Sequence, residues 1–378
     1  MISEVLAFTG GGTGGHIYPG LAVVDRLREI LAAEGKPARF VWLGSEKESD
    51  RSAVESEAIE YRAIPSGKFR REPSLEIFAD AFQVLKGYLA SRRILAELRP
   101  RLLFSKGGYV SVPPCRAAAD LGIPIYTHES DCSPGLATRL NARVAEKIFV
   151  SYEETRDRLP PALRGAVVVS GQPVRAAVRG GNAARGRSFT GLRCGLPLIL
   201  VLGGSQGARR LNALLGEALE ELLKFACVVH QTGPGNPGIR PESLPEDLRN
   251  RYRSFEYLRG ELPDLLAAAD LYVGRAGAGS LWECAAAGLP MVLVPLAGKG
   301  TRGDQVENAR WFASRGAARV LEGSDAEDPA ALTAVCAGLL GDPTALKLTA
   351  RAAGDLCAGD AAENIARAIA FKIWETPV

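Results

Sequence analysis

Nine short apolar runs, separated by longer stretches of helical character, constrain this chain more than any other feature of its sequence. Residues 5–9, 39–43, 102–105, 124–127 and 147–150 fall in the first half, and 197–202, 226–231, 270–273 and 290–294 in the second. Most are continuously apolar rather than alternating, which requires cover on both faces of the strand. Strands of that kind interleaved with helices define a parallel, doubly wound sheet. The pattern occurs twice, so the predicted fold class is α/β with two Rossmann-like domains, as a length of 378 residues also suggests. The junction falls near Pro173, between Val167-Val168-Val169 and a polar, Gly- and Arg-rich stretch over 180–195. In the tail, Ile365, Ile369 and Ile373 form a helical apolar stripe that either domain could receive.

Composition narrows the function. Lys and Arg number 46 against 43 Asp and Glu, a net charge of +3 that is too small to suggest a dedicated nucleic-acid binder but can hide a local patch. Seven scattered cysteines with no Cys-x-x-Cys pair give neither a disulfide framework nor a zinc site, and favour a reducing compartment. The start, Met1-Ile2-Ser3-Glu4-Val5, has no basic n-region, and no apolar run approaches the ~18 residues of a transmembrane helix. With 3 His and no Asp-x-Asp motif, no metal and no cofactor is expected, although a loosely held divalent cation on a diphosphate is compatible.

The outlier is glycine, 42 residues or about 11% against an average near 7%. Three glycine loops follow strands. The first, Gly10-Gly11-Gly12-Thr13-Gly14-Gly15-His16, runs into a helix marked by Val23, Leu27 and Ile30. A strand, a glycine turn and a helix start converge backbone N–H groups on an anion. Gly10, Gly12 and Gly15 satisfy the dinucleotide spacing, but the second strand ends Trp42-Leu43-Gly44-Ser45 without the acid that binds a ribose, which disfavours NAD. The second loop is Gly203-Gly204-Ser205-Gln206-Gly207-Ala208. The third runs from Gly274 to Glu283, with Ser280 as the expected helix cap. Any one loop can be a packing turn; three at strand carboxyl ends in two domains point to a phosphate-bearing ligand in an interdomain cleft, and so to group transfer.

These segments resemble the MurG-type glycosyltransferases, which move N-acetylglucosamine (GlcNAc) from UDP-GlcNAc to the 4-hydroxyl of the muramyl sugar of lipid I, making lipid II for peptidoglycan. The match rests on residues 10–19 (GGGTGGHIYP), 107–111 (GGYVS), 203–208 (GGSQGA) and 276–290 (AGAGSLWECAAAGLP). It extends through His128-Glu129, Gly135-Leu136, Gly171-x-Pro173-Val174-Arg175 and Asp304-Gln305-x-x-Asn308-Ala309. The resemblance implies a GT-B fold facing across a cleft, with an acceptor domain over 1–172 plus the tail helix from about 358 to 378, and a UDP-GlcNAc donor domain over 173–357.

It also implies roles. Glu283 would accept both ribose hydroxyls. Ser205 and Gln206 would hold the diphosphate, Arg175 would meet the charge on departing UDP, and Leu258 would frame the uracil. Ala278, Gly279 and Ser280, with Leu281 and Trp282 beside them, would line the donor site, and Gln305 and Asn308 would bond the sugar hydroxyls; helix capping is the plainer reading of the last two. Inverting transfer needs a base for the acceptor hydroxyl. His16 leads because it ends the first loop and imidazole titrates near neutrality; Glu129 and Tyr109 compete or assist. Thr13, Gly14 and Gly15 would contact the acceptor pyrophosphate or the transferring sugar. Two departures bear on sugar recognition: Ser130-Asp131 stands where His-Glu-Gln-Asn is expected, costing an N–H₂ donor, and Asp304 replaces a Gln.

Residues 62–101 carry nine basic side chains, Arg62, Lys68, Arg70, Arg71, Lys86, Arg92, Arg93, Arg99 and Arg101, against Glu72, Glu76, Asp80 and Glu97. Leu75, Ile77, Phe78, Phe82, Leu85, Tyr88 and Leu89 interleave with them. Such a surface suits peripheral docking on an anionic leaflet, which the resemblance implies is the cytoplasmic face of the bacterial inner membrane; a buried stripe flanked by ordinary surface Arg fits the same pattern. No RNA-recognition motif accompanies it. Other readings are another GT-B enzyme on a UDP-sugar, such as a glycolipid glycosyltransferase or a UDP-GlcNAc epimerase, and a non-catalytic nucleotide-binding scaffold. The sequence assigns no oligomeric state.

Overall fold

A computed structural model describes residues 4–67, 76–192, 195–204, 207–298 and 301–375, with the backbone alone for 76–79 and 375. The chain forms two compact units, Met1–Arg175 with Gly359–Val378, and Ala176–Ala358.

The first unit carries seven strands: β1 (Glu4–Thr9), β2 (Ala38–Gly44), β3 (Glu60–Ala63), β4 (Leu102–Ser105), β5 (Ile125–Glu129), β6 (Lys147–Val150) and β7 (Val167–Val169). They pair in the order β3-β2-β1-β4-β5-β6-β7, every pair parallel. Its helices are α1 (Gly14–Ala33), α2 (Glu48–Glu55), α3 (Glu76–Leu98), α4 (Val112–Asp120) and α5 (Leu136–Asn141). The strand order reverses at β1/β4, where Thr9 lies beside Ser105, and Ser105 lies beside Thr127 of β5. The loops leaving β1, β4 and β5 therefore emerge side by side, the position at which open α/β sheets bind ligands.

The second unit repeats the plan with β8 (Leu198–Leu202), β9 (Cys227–Gln231), β10 (Tyr252–Phe255), β11 (Leu271–Gly274), β12 (Met291–Leu293) and β13 (Ala318–Val320), in the order β10-β9-β8-β11-β12-β13. Around it run α6 (Ala176–Arg179), α7 (Ala183–Thr190), α8 (Arg209–Leu223), α9 (Leu262–Ala268), α10 (Ala278–Ala286), α11 (Asp304–Ser314), α12 (Pro329–Gly341) and α13 (Pro343–Leu356). Leu202 pairs with Gly274 and with Gln231, so the loops after β8 and β11 again meet at the reversal.

Every one of the nine apolar runs contains a strand. The four strands outside them, β3, β7, β10 and β13, are the four sheet edges. An edge strand needs cover on fewer sides, so it lacks the continuous apolar signature; Val168 and Val169 of β7 are exposed. The stripe of Ile365, Ile369 and Ile373 lies on α14 (Ala361–Glu375), which packs along α1 in the core of the first unit with Leu21, Val24 and Leu27. Cys115, Cys132, Cys284, Cys336 and Cys357 are free and buried. Cys227 is disulfide-bonded, against the sequence expectation, because pairing depends on tertiary adjacency that spacing does not reveal.

Candidate functional site

In the first unit the loop after β1 is held from outside itself. The Asp50 carboxylate, brought by α2, accepts the Gly12 N–H at 2.7 Å and the Ser45 hydroxyl at 2.6 Å. Trp42 Nε1 donates to the Gly10 carbonyl at 3.0 Å, and Lys47 Nζ to that of Gly12 at 2.9 Å. A protein carboxylate thus occupies the Gly12 N–H that a dinucleotide phosphate would need. Gly12 has φ +87°, and a Cβ there would sit 2.7 Å from the Tyr109 ring, so only glycine lets Tyr109 close over the loop. Thr13 precedes α1 in extended conformation, Gly14 and Gly15 open the helix, and His16 Nδ1 lies 3.0 Å from Thr13 Oγ1. The imidazole rests against Gly108, where a Cβ would stand 3.2 Å from the ring. His16, Tyr109 and Thr13 are therefore gathered in one place. Burial, followed by the Asp50 charge, pushes the Tyr109 phenol above its usual range, so it stays protonated.

At the tip of β5, Glu129 is buried and already employed. One carboxylate oxygen accepts the Asp131 N–H and the other the Gly135 N–H, both at 2.9 Å. It shapes the 130–135 loop, so a role as base conflicts with its bonding. His128 is fully buried, with Nε2 3.0 Å from the Gly171 carbonyl oxygen, and burial drives its pKa well down. Arg175 lies in the same unit, its guanidinium 4.9 Å above the Tyr18 ring of α1.

In the second unit a cavity of about 370 Å³ is lined by Gly203, Gly204, Gly207 and Ala208 after β8, and by Arg275, Gly277 and Ser280 after β11. Arg209, Arg210, Leu296 and Gln305 complete it. Arg275 anchors one nitrogen on the Val294 carbonyl at 2.8 Å. Burial, then the Arg210 charge, lowers its pKa, a like-charge crowding that an anion would relieve. Gln231 ties Gly204 of this wall to the segment after β10: its Oε1 accepts the Leu258 N–H at 2.9 Å and its Nε2 donates to the Gly204 carbonyl at 3.2 Å. Gly277 precedes α10, so the N–H groups of Ala278, Gly279 and Ser280 form the first turn, without intrahelical acceptors.

Several expectations change. Ser280 lies inside α10 and does not cap it. The Leu281 N–H is spent on the Gly277 carbonyl, and the side chains of Leu281 and Trp282 are core, Trp282 packing against Trp311 and Phe312. Asn308 is fully buried and donates to the Ala276 carbonyl at 3.3 Å, which positions the third loop and hides the amide from a sugar. Gln305 lines the cavity with its Oε1 accepting the Leu296 N–H at 3.0 Å. Asp304 pairs with Arg302 at 2.7 Å. Glu283 follows Trp282 on α10, half-buried. Ser205 and Gln206 lie outside the described residues. Among the described residues no group of three or more His, Cys, Asp or Glu could hold a metal.

Lys106, which follows β4, is buried with its Nζ donating to Ser130 Oγ. Sequence reasoning assigns no role to Asp50, Lys106, Gln231 or Arg275. The last three stand at strand ends or beside motif glycines, a signal available in the sequence. Asp50 had none, because α2 alone carries it back to the loop.

Of the basic and apolar segment, Lys68, Arg70, Arg71, Glu72 and Leu75 lie outside the described residues, as do the side chains of Glu76, Ile77 and Phe78. Arg62 pairs with Glu60 at 2.6 Å and Arg101 with Glu4 at 3.5 Å. On α3, Phe82, Leu85 and Leu89 are more than half exposed at helical spacing, with Lys86 over the Phe82 ring, followed by exposed Arg92 and Arg93. No single helix among the described residues is long and apolar enough to cross a membrane.

Two Rossmann-like sheets, each with glycine loops at its reversal point, define a GT-B protein. Similar folds occur in the crystal structure of Acinetobacter baumannii MurG (TM-score 0.71, 24% identity, 98% of this chain and 99% of that one). They occur also in a putative UDP-N-acetylglucosamine 2-epimerase from Listeria monocytogenes (TM-score 0.67, 15% identity, 99% and 98%). Models of the glycosyltransferase family 28 N-terminal and C-terminal domains match residues 6–150 and 198–367. Over 377 residues the chain is 45% identical to the UDP-N-acetylglucosamine--N-acetylmuramyl-(pentapeptide) pyrophosphoryl-undecaprenol N-acetylglucosamine transferase of Treponema pallidum (strain Nichols), spanning 99% of this chain and 97% of that one. The Treponema denticola protein of the same name is 46% identical over 85% of each chain. The chain belongs to glycosyltransferase family 28 and is of the MurG type.

Proposed function

We propose that the protein transfers GlcNAc from UDP-GlcNAc to the 4-hydroxyl of the muramyl sugar of lipid I, inverting the anomeric centre and releasing UDP and lipid II. The observation that carries this reading, against an epimerase of the same fold, is end-to-end identity of 45% with a protein named for this transfer.

The donor side is the second unit. Arg275 and Arg210, with the first-turn N–H groups of α10, hold the diphosphate, a role that the family resemblance gives to Ser205 and Gln206 as well; Glu283 takes the ribose hydroxyls, Leu258 the uracil and Gln305 the sugar. The acceptor side is the first unit. His16 takes the proton of the 4-hydroxyl as its oxygen attacks the anomeric carbon and the bond to the diphosphate breaks. It does so in the tautomer whose Nδ1–H donates to Thr13 Oγ1, leaving the Nε2 lone pair for the hydroxyl. Tyr109 assists as a neutral donor. Gly14 and Gly15 offer N–H groups to the acceptor pyrophosphate, and Arg175 offsets charge on departing UDP.

The acceptor's lipid tail lies in a bilayer, and the stripe of Phe82, Leu85, Leu89, Lys86, Arg92 and Arg93 on α3 docks the protein peripherally on the anionic cytoplasmic face of the inner membrane. UDP release dependent on a lipid I analogue tests the reaction. Turnover of UDP-GlcNAc alone to its 2-epimer would overturn it. His16→Ala should lower kcat by about 100-fold or more with UDP affinity unchanged; undiminished turnover would remove His16 as base.

A further inference from the structure

Gln231 closes β9 and is buried, yet its amide reaches two different segments. In the sheet its backbone lies beside Leu202 of β8 on one side and Phe255 of β10 on the other. The side chain extends that position past the strand ends, with Oε1 accepting the Leu258 N–H at 2.9 Å and Nε2 donating to the Gly204 carbonyl at 3.2 Å. One partner is a donor and the other an acceptor, so a single orientation of the amide satisfies both. Ionised glutamate lacks the donor, leucine lacks both functions, and asparagine is one methylene shorter.

Each bonded group stands in a segment that the transferase reading gives to the donor. Gly204 lines the cavity of the second unit with Gly203 and Gly207. It has φ +85°, a conformation that favours glycine, and its carbonyl also accepts the Gly207 N–H at 3.0 Å. That one oxygen therefore helps to set the turn of the loop. Leu258, 4% exposed, lies after β10 in the position assigned to the uracil. Without the amide, a buried N–H and a loop carbonyl would each lose a bond.

We infer that Gln231 is a positioning residue of the donor side: its amide keeps the backbone that frames the base in register with the loop that cradles the diphosphate, so that the two ends of the nucleotide are bound as one ligand. Gln231 acts through Leu258 and Gly204, not by contact with the nucleotide. The inference deepens the transferase reading and rests on its donor assignment.

The test is calorimetric binding of UDP-GlcNAc to the full chain at roughly pH 5.5 and pH 8, with steady-state transfer to a lipid I analogue measured alongside. Gln231→Leu should weaken UDP-GlcNAc binding by about 30-fold at both pH values, and raise donor KM while kcat and acceptor KM stay within about 3-fold. Gln231→Glu should bind at least about 30-fold more weakly than wild type at the higher pH, where its carboxylate faces the Gly204 carbonyl, and recover to within about 3-fold at the lower. There the protonated carboxyl again donates to Gly204 while accepting the Leu258 N–H, and burial raises its pKa into that range. Gln231→Leu is neutral throughout, so its lack of recovery separates hydrogen bonding from charge. Wild-type affinity in Gln231→Leu, or a loss in Gln231→Glu that is the same at both pH values, would overturn the inference. Should Gln231→Leu fail to fold, the pH response of Gln231→Glu decides alone. A wild-type chain that does not bind UDP-GlcNAc would instead remove the donor assignment, and this inference with it. Binding that responds to the substitutions as expected, without transfer to the lipid I analogue, would sink the transferase reading and uphold the role of Gln231.

Discussion

Single side chains decide the chemistry, and several act by holding backbone. Asp50 satisfies the Gly12 N–H and the Ser45 hydroxyl in a buried setting, so Asp50→Ala leaves two donors unmet. We expect a loss of about 2–3 kcal/mol in urea unfolding, with reduced turnover as Gly12 and Tyr109 lose register; a loss below about 0.5 kcal/mol would contradict the role. His230 gives a pH signature. Its ring bonds Tyr252 and Asn212, and burial pushes its pKa down to about 4. The unfolded chain takes up this proton near pH 6.5, the folded chain only near 4. The stabilisation is thus complete above about 6.5 and is lost as pH falls toward 4, about 3 kcal/mol in all. His128 shifts in the same direction, so His230→Gln should shrink, without abolishing, the fall in urea midpoint between those pH values; an undiminished fall would refute the assignment. The sequence already marked His16 and Tyr109 through their motif positions. It could not show that Asn308 turns inward, because a motif fixes residue type and leaves side-chain direction to packing.

At the scale of elements, α3 exposes three large apolar side chains at helical spacing among its described residues. Leu95 of this helix is buried, whereas Phe82, Leu85 and Leu89 are exposed on a stripe that ends in Arg92 and Arg93. Inserting three such side chains into a leaflet is worth about 1.5–3 kcal/mol each at full burial, and each basic residue about 1 kcal/mol on an anionic surface. A Phe82→Ser, Leu85→Ser, Leu89→Ser variant should bind anionic vesicles about 100-fold more weakly in co-sedimentation and keep its thermal midpoint. Binding that ignores both the substitutions and salt would dismiss the docking face. Periodicity alone left this segment open between a buried stripe and a docking face, since a helical pattern does not say which side meets the core. The folded arrangement divides it: Arg62 and Arg101 belong to intramolecular ion pairs, and the exposed apolar positions gather on α3.

At the scale of the whole molecule, the chain leaves its first unit at Arg175 and returns to it at Gly359. The return places Ile365, Ile369 and Ile373 of α14 in the core beside α1, at about 1.5–3 kcal/mol per buried side chain. Truncation before Gly359 should therefore destabilise the first unit and make it aggregate, while an isolated Ala176–Ala358 fragment, with its own core, should fold and bind UDP in calorimetry. A truncated chain with unaltered two-unit melting would refute this. By itself the sequence determined the α/β class, the repeat of the plan and the positions of the glycine loops. Continuous apolar strands admit only a sheet covered on both faces, and a glycine-rich turn is a local backbone requirement. Only the tertiary structure decided the edge strands, the unit that receives the last helix, the carboxylate that fills the Gly12 N–H, and the ammonium buried beneath Ser130. Each of these depends on which distant segment arrives as a neighbour, and desolvation and pairing are set by that arrival.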